Sequence, residues 1–150
     1  MNTSTINKLA IVQLLNQFGT AIDLRDWETF RSLFADSVEF DYSAIGDVAD
    51  TLSSDDILNN ARKNFDGFKA TQHLITNHIV EITGDRATCH AHVRAYHFLP
   101  NDKVKPRLEI GGYYTASLVR DRENWKIKQW KFSVLWTEGD VELFELAKEN

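Results

Sequence analysis

The sequence predicts an α+β fold in which N-terminal helices pack on the concave face of a strongly curved antiparallel sheet, giving a cone-shaped α+β barrel. Two observations predict it. Apolar residues recur with helical spacing in the first 65 positions, and they alternate in long runs after position 70. The 150 residues fit one domain over residues 1–150, long enough to bury a sizeable core without disulfides or metal ions.

The first predicted element is a helix from about residue 5 to residue 24, with Ser4 or Thr5 as its N-cap. Apolar residues follow one another every four positions along it: Ile6, Ala10, Leu14, Phe18 and Ile22. This spacing places them on one face of the helix, and that face is therefore predicted to be buried. A second, shorter helix is predicted over residues 26–34, capped by Asp26, with a buried side that comprises Trp27, Phe30, Leu33 and Phe34.

The segment between these helices and the later strands is predicted to be mixed. The alternation in Val38–Tyr42 indicates a short strand, and residues 43–52 are predicted to form a loop. Ser53 precedes two acidic residues, which is typical of a capped helix start. A helix to about Asn64 should follow, with three residues facing inward: Ile57, Leu58 and Ala61.

The second half of the chain is predicted to form four long strands, over residues 71–82, 86–99, 108–120 and 124–137. Gly84-Asp85 and Asp121–Asn124 are typical of hairpin connections. Strands of this length must twist and curl, and helices lying across the open side of a curled sheet would enclose a cavity.

Composition excludes several classes of protein. The net charge is −5, and no stretch of lysine and arginine is dense enough to indicate a phosphate-binding face, so no nucleic-acid partner is expected. A single cysteine, Cys89, cannot form an internal disulfide. The first residues do not resemble a signal peptide, and no apolar run approaches the ~18 residues needed to span a bilayer, so no membrane partner is expected. We therefore expect a cytoplasmic protein.

Two histidines and one aspartate are the candidates for acid–base chemistry. His97 shares its strand face with small apolar residues, namely Ala87, Cys89, Ala91, Val93 and Ala95, and His73 shares its own with Thr71, Ile75, Asn77 and Ile79. An imidazole can move protons near neutral pH, and a carboxylate such as Asp23 can orient it. Alternatively, each histidine is a satisfied core residue and Asp23 caps the next helix, although Asp26 is better placed as that cap.

Other polar residues allow further interpretations. Tyr42 could donate a hydrogen bond to a developing oxyanion, or it could be a half-buried strand aromatic with its hydroxyl in water. His90 and His92 lie on one strand face but lack a matching acidic motif, and His73 and His78 have opposite parity, so no metal site is expected. Cys89 is predicted to be a buried structural thiol, and Gly111-Gly112 to mark a bend or bulge.

Six segments together carry a resemblance to a known family: Asp23-Leu24-Arg25-Asp26-Trp27, Leu33-Phe34-Ala35-Asp36, Asp41-Tyr42, Thr71-Gln72-His73, His97 and Gly111-Gly112-Tyr113-Tyr114. Over nearly its whole length the chain resembles the SnoaL-like family of the nuclear transport factor 2-like superfamily, and within it scytalone dehydratase and bile acid 7α-dehydratase. The resemblance implies a cone-shaped barrel with a deep apolar cavity and no cofactor.

The resemblance also implies roles for individual residues. Asp23 and His73 match the aspartate–histidine pair of these dehydratases, in which the histidine is the general base. His97 corresponds to their second sheet histidine, and Tyr42 to a cavity tyrosine that polarises the substrate carbonyl. These dehydratases also carry a tyrosine on the first helix, where this chain has Phe18 and Ile22 at the candidate positions; Tyr114 is another possible source of a phenol.

The implied function is that of a cofactor-independent enzyme, a lyase of the dehydratase type or an isomerase. It would act by general acid–base chemistry on a small apolar carbonyl or hydroxyl compound, so the expected partner is a small hydrophobic molecule. Two alternatives stay open, a non-catalytic small-molecule binding domain and an accessory subunit of a larger enzyme. A homodimer or higher homo-oligomer is expected to form through the outer sheet face, which carries His90, His92, Arg94 and Tyr96.

Overall fold

The computed structural model describes residues 2–150, which form a mixed α+β fold as predicted. Its helices are α1 (Thr3–Leu24), α2 (Trp27–Ser32), α3 (Ser54–Phe65) and α4 (Leu143–Lys148). Its strands are β1 (Phe34–Asp41), β2 (Ala49–Ser53), β3 (Ala70–Thr83), β4 (Arg86–Phe98), β5 (Arg107–Asp121) and β6 (Asn124–Gly139). A 3-10 turn, Ser43–Ile45, links β1 to β2.

The six strands form one curved, unclosed sheet in the order β2-β1-β6-β5-β4-β3. Consecutive long strands pair antiparallel through hairpins, as predicted. The pair β1–β6 is parallel, so the sheet is not antiparallel throughout. Hairpin signals predict pairing only between strands that are neighbours in sequence. Because most of the chain separates β1 from β6, no sequence signal predicts this pair. Helix α1 packs against β3, which places the end of the helix beside the start of that strand.

Several boundaries differ from the prediction. The N-cap of α1 is Asn2, whose side chain accepts a hydrogen bond from the Thr5 backbone N–H, so Ser4 and Thr5 lie inside the helix. The predicted loop over residues 43–52 contains most of β2, an exposed edge strand whose alternation is weak. Helix α4 was not predicted; only two of its residues, Leu143 and Ala147, are buried, which leaves little periodicity to detect. The predicted caps Asp26 and Ser53 are confirmed.

A bulge in β3 reverses the side-chain alternation after Thr76. The ladder with β4 pairs Thr76 with His92 and then Ile79 with His90, so two residues of β3 lie opposite one of β4. Asn77 adopts a left-handed backbone with φ 58° at this point. Ile79 consequently points outward and is 64% exposed, which contradicts its predicted place on the face of His73. The predicted parity difference between His73 and His78 is wrong for the same reason.

Aromatic side chains from α1 and the last strands form the centre of the core. The rings of Phe18 and Trp130 stack with centroids 4.1 Å apart, and Tyr114 contacts both. Such pairs add about 0.5–1.5 kcal/mol each beyond the area they bury. Gly111 and Gly112 mark a register shift between β5 and β6, as predicted. Position 111 requires glycine because a β-carbon there would lie 2.2 Å from the Trp136 ring.

Helix α1 approaches β3 most closely at Gly19, and we predict that this glycine cannot be enlarged. A β-carbon there would lie 2.8 Å from Cβ of His73 and 3.1 Å from Cδ1 of Ile75. Alanine favours a helix over glycine by about 1 kcal/mol, but overpacking costs about 1–3 kcal/mol. The 2.8 Å contact is closer than β-carbons normally approach, so the upper end of the overpacking cost, about 2–3 kcal/mol, applies. After the helix gain is subtracted, Gly19→Ala should lower the free energy of unfolding by about 1–2 kcal/mol in urea denaturation. The matched control Gln17→Ala, on the exposed side of α1, should leave it unchanged; a Gly19→Ala protein as stable as wild type would contradict this packing.

Candidate active site

Asp23 and His73 are in direct contact through two hydrogen bonds. Asp23 lies in the last turn of α1, and His73 is the fourth residue of β3. The carboxylate Oδ1 lies 2.7 Å from Nδ1 of His73, and the backbone N–H of His73 donates to Oδ2 at 2.7 Å. An ionised carboxylate only accepts, so Nδ1 carries the proton and Nε2 of a neutral ring carries the lone pair. The His73 side chain is 3% exposed and the Asp23 side chain is 17% exposed.

Two residues that the sequence analysis did not assign to the site hold this carboxylate. The Thr71 hydroxyl donates to Oδ1 of Asp23 at 3.0 Å and accepts a hydrogen bond from Arg25 at 2.9 Å. Thr71 is buried, and Arg25 follows the end of α1 with a left-handed backbone, φ 56°. The available sequence signal was parity for Thr71, which lies two residues before His73 on the same strand face.

His97 lies next to His73, with the two ring centroids 6.1 Å apart. Its Nδ1–H donates to the backbone carbonyl of Leu108 at 3.1 Å, which again leaves the lone pair on Nε2. Burial, reinforced by the neighbouring His73, lowers the pKa of His97 to about 3. His97 is therefore a neutral imidazole at physiological pH.

Three phenylalanines enclose the histidine pair. Phe65, at the end of α3, stacks on His97 with centroids 6.1 Å apart and meets the His73 ring edge-on at 5.8 Å. Phe68 and Phe144 contact His97 at 5.2 and 4.9 Å, so α4 covers this end of the site. Aromatic walls lower the local dielectric and strengthen the electrostatic interactions between the groups they surround.

Tyr42 lies in a different group of contacts from the other three candidates. Its ring stacks on Phe40 at 4.7 Å, and its hydroxyl accepts a hydrogen bond from Trp130 Nε1 at 3.2 Å. Burial raises the pKa of the Tyr42 phenol and that of the Tyr114 phenol. The structure thus brings Asp23, His73 and His97 together and leaves Tyr42 in the adjacent aromatic core.

Two spaces adjoin these residues. A small internal cavity of about 20 Å³, room for about one water molecule, is lined by Tyr42 and Phe65 among others. Asp47 also lines it, with a carboxylate that accepts hydrogen bonds from the side-chain amides of Asn60 and Asn64 at 3.2 and 2.8 Å. An open cleft of about 1030 Å³ lies beside Asp23, Thr71 and His97 at the end of the sheet.

The remaining polar candidates lie outside this site. Cys89 is 1% exposed, and burial raises the pKa of its thiol to about 11, which fits the predicted structural thiol. Among residues 2–150, no group of three or more histidine, cysteine or acidic side chains is arranged to hold a metal ion. Within the same residues, no helix combines the length and the apolar character needed to cross a membrane.

Comparisons with known proteins agree with this architecture. A family model described as a SnoaL-like domain matches residues 4–131. Kfla4162 from Kribbella flavida is 29% identical, with a TM-score of 0.88 over 95% of this chain and 99% of that chain. A candidate scytalone dehydratase from Novosphingobium aromaticivorans is 20% identical, with a TM-score of 0.81 over 92% and 90% of the two chains.

A further similar structure is that of the hexachlorocyclohexane dehydrochlorinase LinA-type3 from Novosphingobium barchaimii. It is 19% identical, with a TM-score of 0.74 over 91% of this chain and 92% of that chain. No curated protein matches the sequence significantly. Because the family model covers most of the chain and these neighbours share its fold, the chain belongs to the SnoaL-like domain family of the nuclear transport factor 2-like superfamily.

Proposed function

We propose that the protein is a cofactor-independent lyase of the dehydratase type, or an isomerase, that acts on a small apolar carbonyl or hydroxyl compound. The observation that carries this proposal is the doubly hydrogen-bonded contact between Asp23 and His73. A carboxylate in this position fixes one tautomer of the imidazole, aims its free nitrogen, and stabilises the imidazolium formed when that nitrogen takes a proton.

His73 is the general base in this proposal. Its Nε2 takes a proton from the carbon alpha to the substrate carbonyl, and the C–H electron pair becomes the enolate. In a dehydration, the enolate re-forms the carbonyl and expels the hydroxyl from the neighbouring carbon, which leaves as water after it receives the proton from Nε2. In an isomerisation, the same proton returns to a different carbon. Each sequence leaves His73 neutral again, so the cycle needs no cofactor.

His97 is suited to bind the substrate hydroxyl and not to protonate it. Its Nδ1–H is engaged by Leu108, so the neutral ring offers only an acceptor at Nε2. With a pKa of about 3, the ring carries no second proton near neutral pH. These observations favour binding of the substrate hydroxyl by His97 over its protonation.

Tyr42 is the proposed donor to the enolate oxygen. Its oxygen accepts from Trp130, and a phenol whose pKa burial raises stays protonated and can donate. To meet both Tyr42 and His73, a substrate must reach across Phe65, which lines the internal cavity and contacts both histidines. Movement of that side chain is therefore part of this proposal.

The names of two structural relatives agree with elimination chemistry, water for scytalone dehydratase and hydrogen chloride for the dehydrochlorinase. One observation favours the alternative of a non-catalytic binding domain or an accessory subunit, namely that the internal cavity has a volume of only about 20 Å³. We favour the enzyme because neither alternative requires an oriented aspartate–histidine pair.

The first test replaces His73 with glutamine. His73→Gln should abolish deuterium exchange at carbons alpha to a carbonyl, followed by proton NMR in D2O over a panel of small cyclic ketones and hydroxyketones. Asp23→Asn should reduce it by about 10⁴-fold if the tautomer effect resembles that in serine proteases. His92→Gln, on the exposed outer face, is the matched control and should exchange at the wild-type rate. Exchange that survives loss of His73, or ligand binding without any exchange, would refute the catalytic proposal.

The depressed pKa of His97 predicts a specific acid sensitivity. The unfolded chain protonates this residue below about pH 6.5, whereas the folded protein resists until about pH 3. The unfolded state therefore binds more protons in that window, and this group lowers the free energy of unfolding by about 1.4 kcal/mol for each unit that pH falls. Denaturant unfolding at several pH values should show a slope shallower by that amount in His97→Gln; parallel slopes would contradict the assignment.

We also propose that two or more copies associate through the outer sheet face. Leu74 and Ile79 there are 44% and 64% exposed, and Trp136 is 40% exposed beside the Arg94 guanidinium. Apolar side chains grouped on a sheet face are typical of subunit contacts. Light scattering should report a dimer or larger species that Ile79→Lys converts to a monomer, with Leu24→Lys, exposed at the end of α1, as control. A wild-type monomer at high concentration would exclude this assembly.

A further inference from the structure

The end of helix α1 is built around an arginine in a position where glycine is the usual residue. The backbone N–H of Asp26 donates to the Ala21 carbonyl at 2.8 Å, and that of Arg25 to the Ile22 carbonyl at 3.1 Å. These two bonds define a Schellman motif, in which the left-handed residue is most often glycine because a β-carbon is disfavoured there. Arg25 occupies that residue with φ 56°.

The contacts of the Arg25 side chain explain why an arginine is found at a position with a left-handed backbone. Its guanidinium donates to the hydroxyl of Thr71 at 2.9 Å and to the carbonyl of Ile22, so it links the helix end to strand β3. The Thr71 hydroxyl in turn donates a hydrogen bond to Oδ1 of Asp23 at 3.0 Å. Arg25 is therefore connected to the Asp23 carboxylate through one intervening hydroxyl. The oxygen at the end of this chain, Oδ1, is the one that contacts Nδ1 of His73.

We propose that Arg25, acting through Thr71, is a positioning residue that holds Asp23 in the rotamer that selects the Nδ1–H tautomer of His73. The arginine fixes the rotation of the threonine hydroxyl, because a hydroxyl that accepts from a guanidinium must direct its own hydrogen elsewhere, here to Asp23. The effect on turnover rests on the proposed function; the effect on the tautomer does not.

The charges around His73 identify what else could influence that ring. Asp23 faces it from α1 and His97 from β4, while Arg25 lies on the far side of Asp23 with Asp66 as a second carboxylate beside it. Phe65 supplies an uncharged wall from α3. Asp66 is also paired with Arg62 at 3.2 Å. Loss of Arg25 therefore breaks the hydrogen-bond chain and removes the cation that lies between Asp23 and Asp66.

Glycine at position 25 separates a positioning role from a structural one. Arg25→Gly places the preferred residue in the Schellman motif, so the melting temperature should stay within about 3 °C of wild type or rise. The chain supplies a matched control in Arg122, a second arginine with a left-handed backbone, φ 61°, whose residue is exposed in the β5–β6 turn. Arg122→Gly makes the same backbone change and removes the same charge away from the site.

The experiment is nitrogen-15 NMR of histidine-labelled full-length protein at alkaline pH, where the imidazoles are neutral, with His73 assigned by its absence from His73→Gln. Wild type and Arg122→Gly should show His73 as one Nδ1–H tautomer. Arg25→Gly should show a mixture of tautomers, and α-proton exchange should fall by about 10–100-fold, as for a misplaced catalytic group.

A second variant keeps the proposal falsifiable if Arg25→Gly does not fold. Thr71→Val removes only the intervening hydroxyl and should give the same mixture of tautomers. An unchanged single tautomer in either folded variant would overturn the positioning role. If the variants show a mixture of tautomers but the wild-type protein catalyses no exchange, the role of Arg25 stands and the proposed enzyme is rejected. The failure of one proposal can therefore be distinguished from the failure of the other.

Discussion

The contact between Asp23 and His73 is the constraint on which the rest of this structure depends. The last turn of a 22-residue helix must meet the start of a strand nearly fifty positions later in the sequence. The two side chains must also lie within the narrow range of distances at which a hydrogen bond forms. The helix rises about 1.5 Å and turns about 100° per residue. Gly19 stands one turn before Asp23 on the same face, and its missing side chain allows the helix to approach within contact of His73. Packing at that glycine and chemistry at the aspartate are thus parts of one arrangement.

The sequence predicts best those features that repeat. The apolar period in α1 and the alternation in β4 each involve five or more residues, so errors at single positions leave the element unchanged. In α1 the helix forms as predicted, but Ile6 and Ala10 of the face predicted to be buried are exposed, because the sheet covers only the later turns. The face of β4 that carries His97 is buried in its entirety as predicted, from Ala87 through Ala95. By contrast, a single residue with a left-handed backbone, Asn77, inverts the faces of β3 beyond it. Asparagine tolerates that conformation, but its presence alone does not predict it.

The sequence predicts the acid–base residues of the candidate site, but it does not predict the residues that hold them in place. Asp23 and His73 are residue types with few structural reasons to lie on buried faces, so pattern alone marks them for attention. Threonine is a common strand residue, and Arg25 lies between two helices, outside any periodic pattern. The role of both residues depends on a hydrogen-bond chain that only the folded backbone brings together. Phe144 belongs to α4, a helix too short for its period to be detected, yet its ring is among those that enclose His97.

The two histidines illustrate how one fold gives the same side chain two chemistries. Both leave Nε2 unprotonated in the neutral ring because both hold their Nδ1 proton on an acceptor, but the acceptors differ in charge. A carboxylate at His73 stabilises the imidazolium by direct electrostatic attraction, whereas the carbonyl of Leu108 offers His97 only a dipole. Burial therefore keeps His97 neutral, and the formation of a cation at His73 further disfavours a second one next to it. A base that can accept charge beside an acceptor that cannot is the arrangement that removing a proton from carbon, while a substrate hydroxyl is held in place, would need.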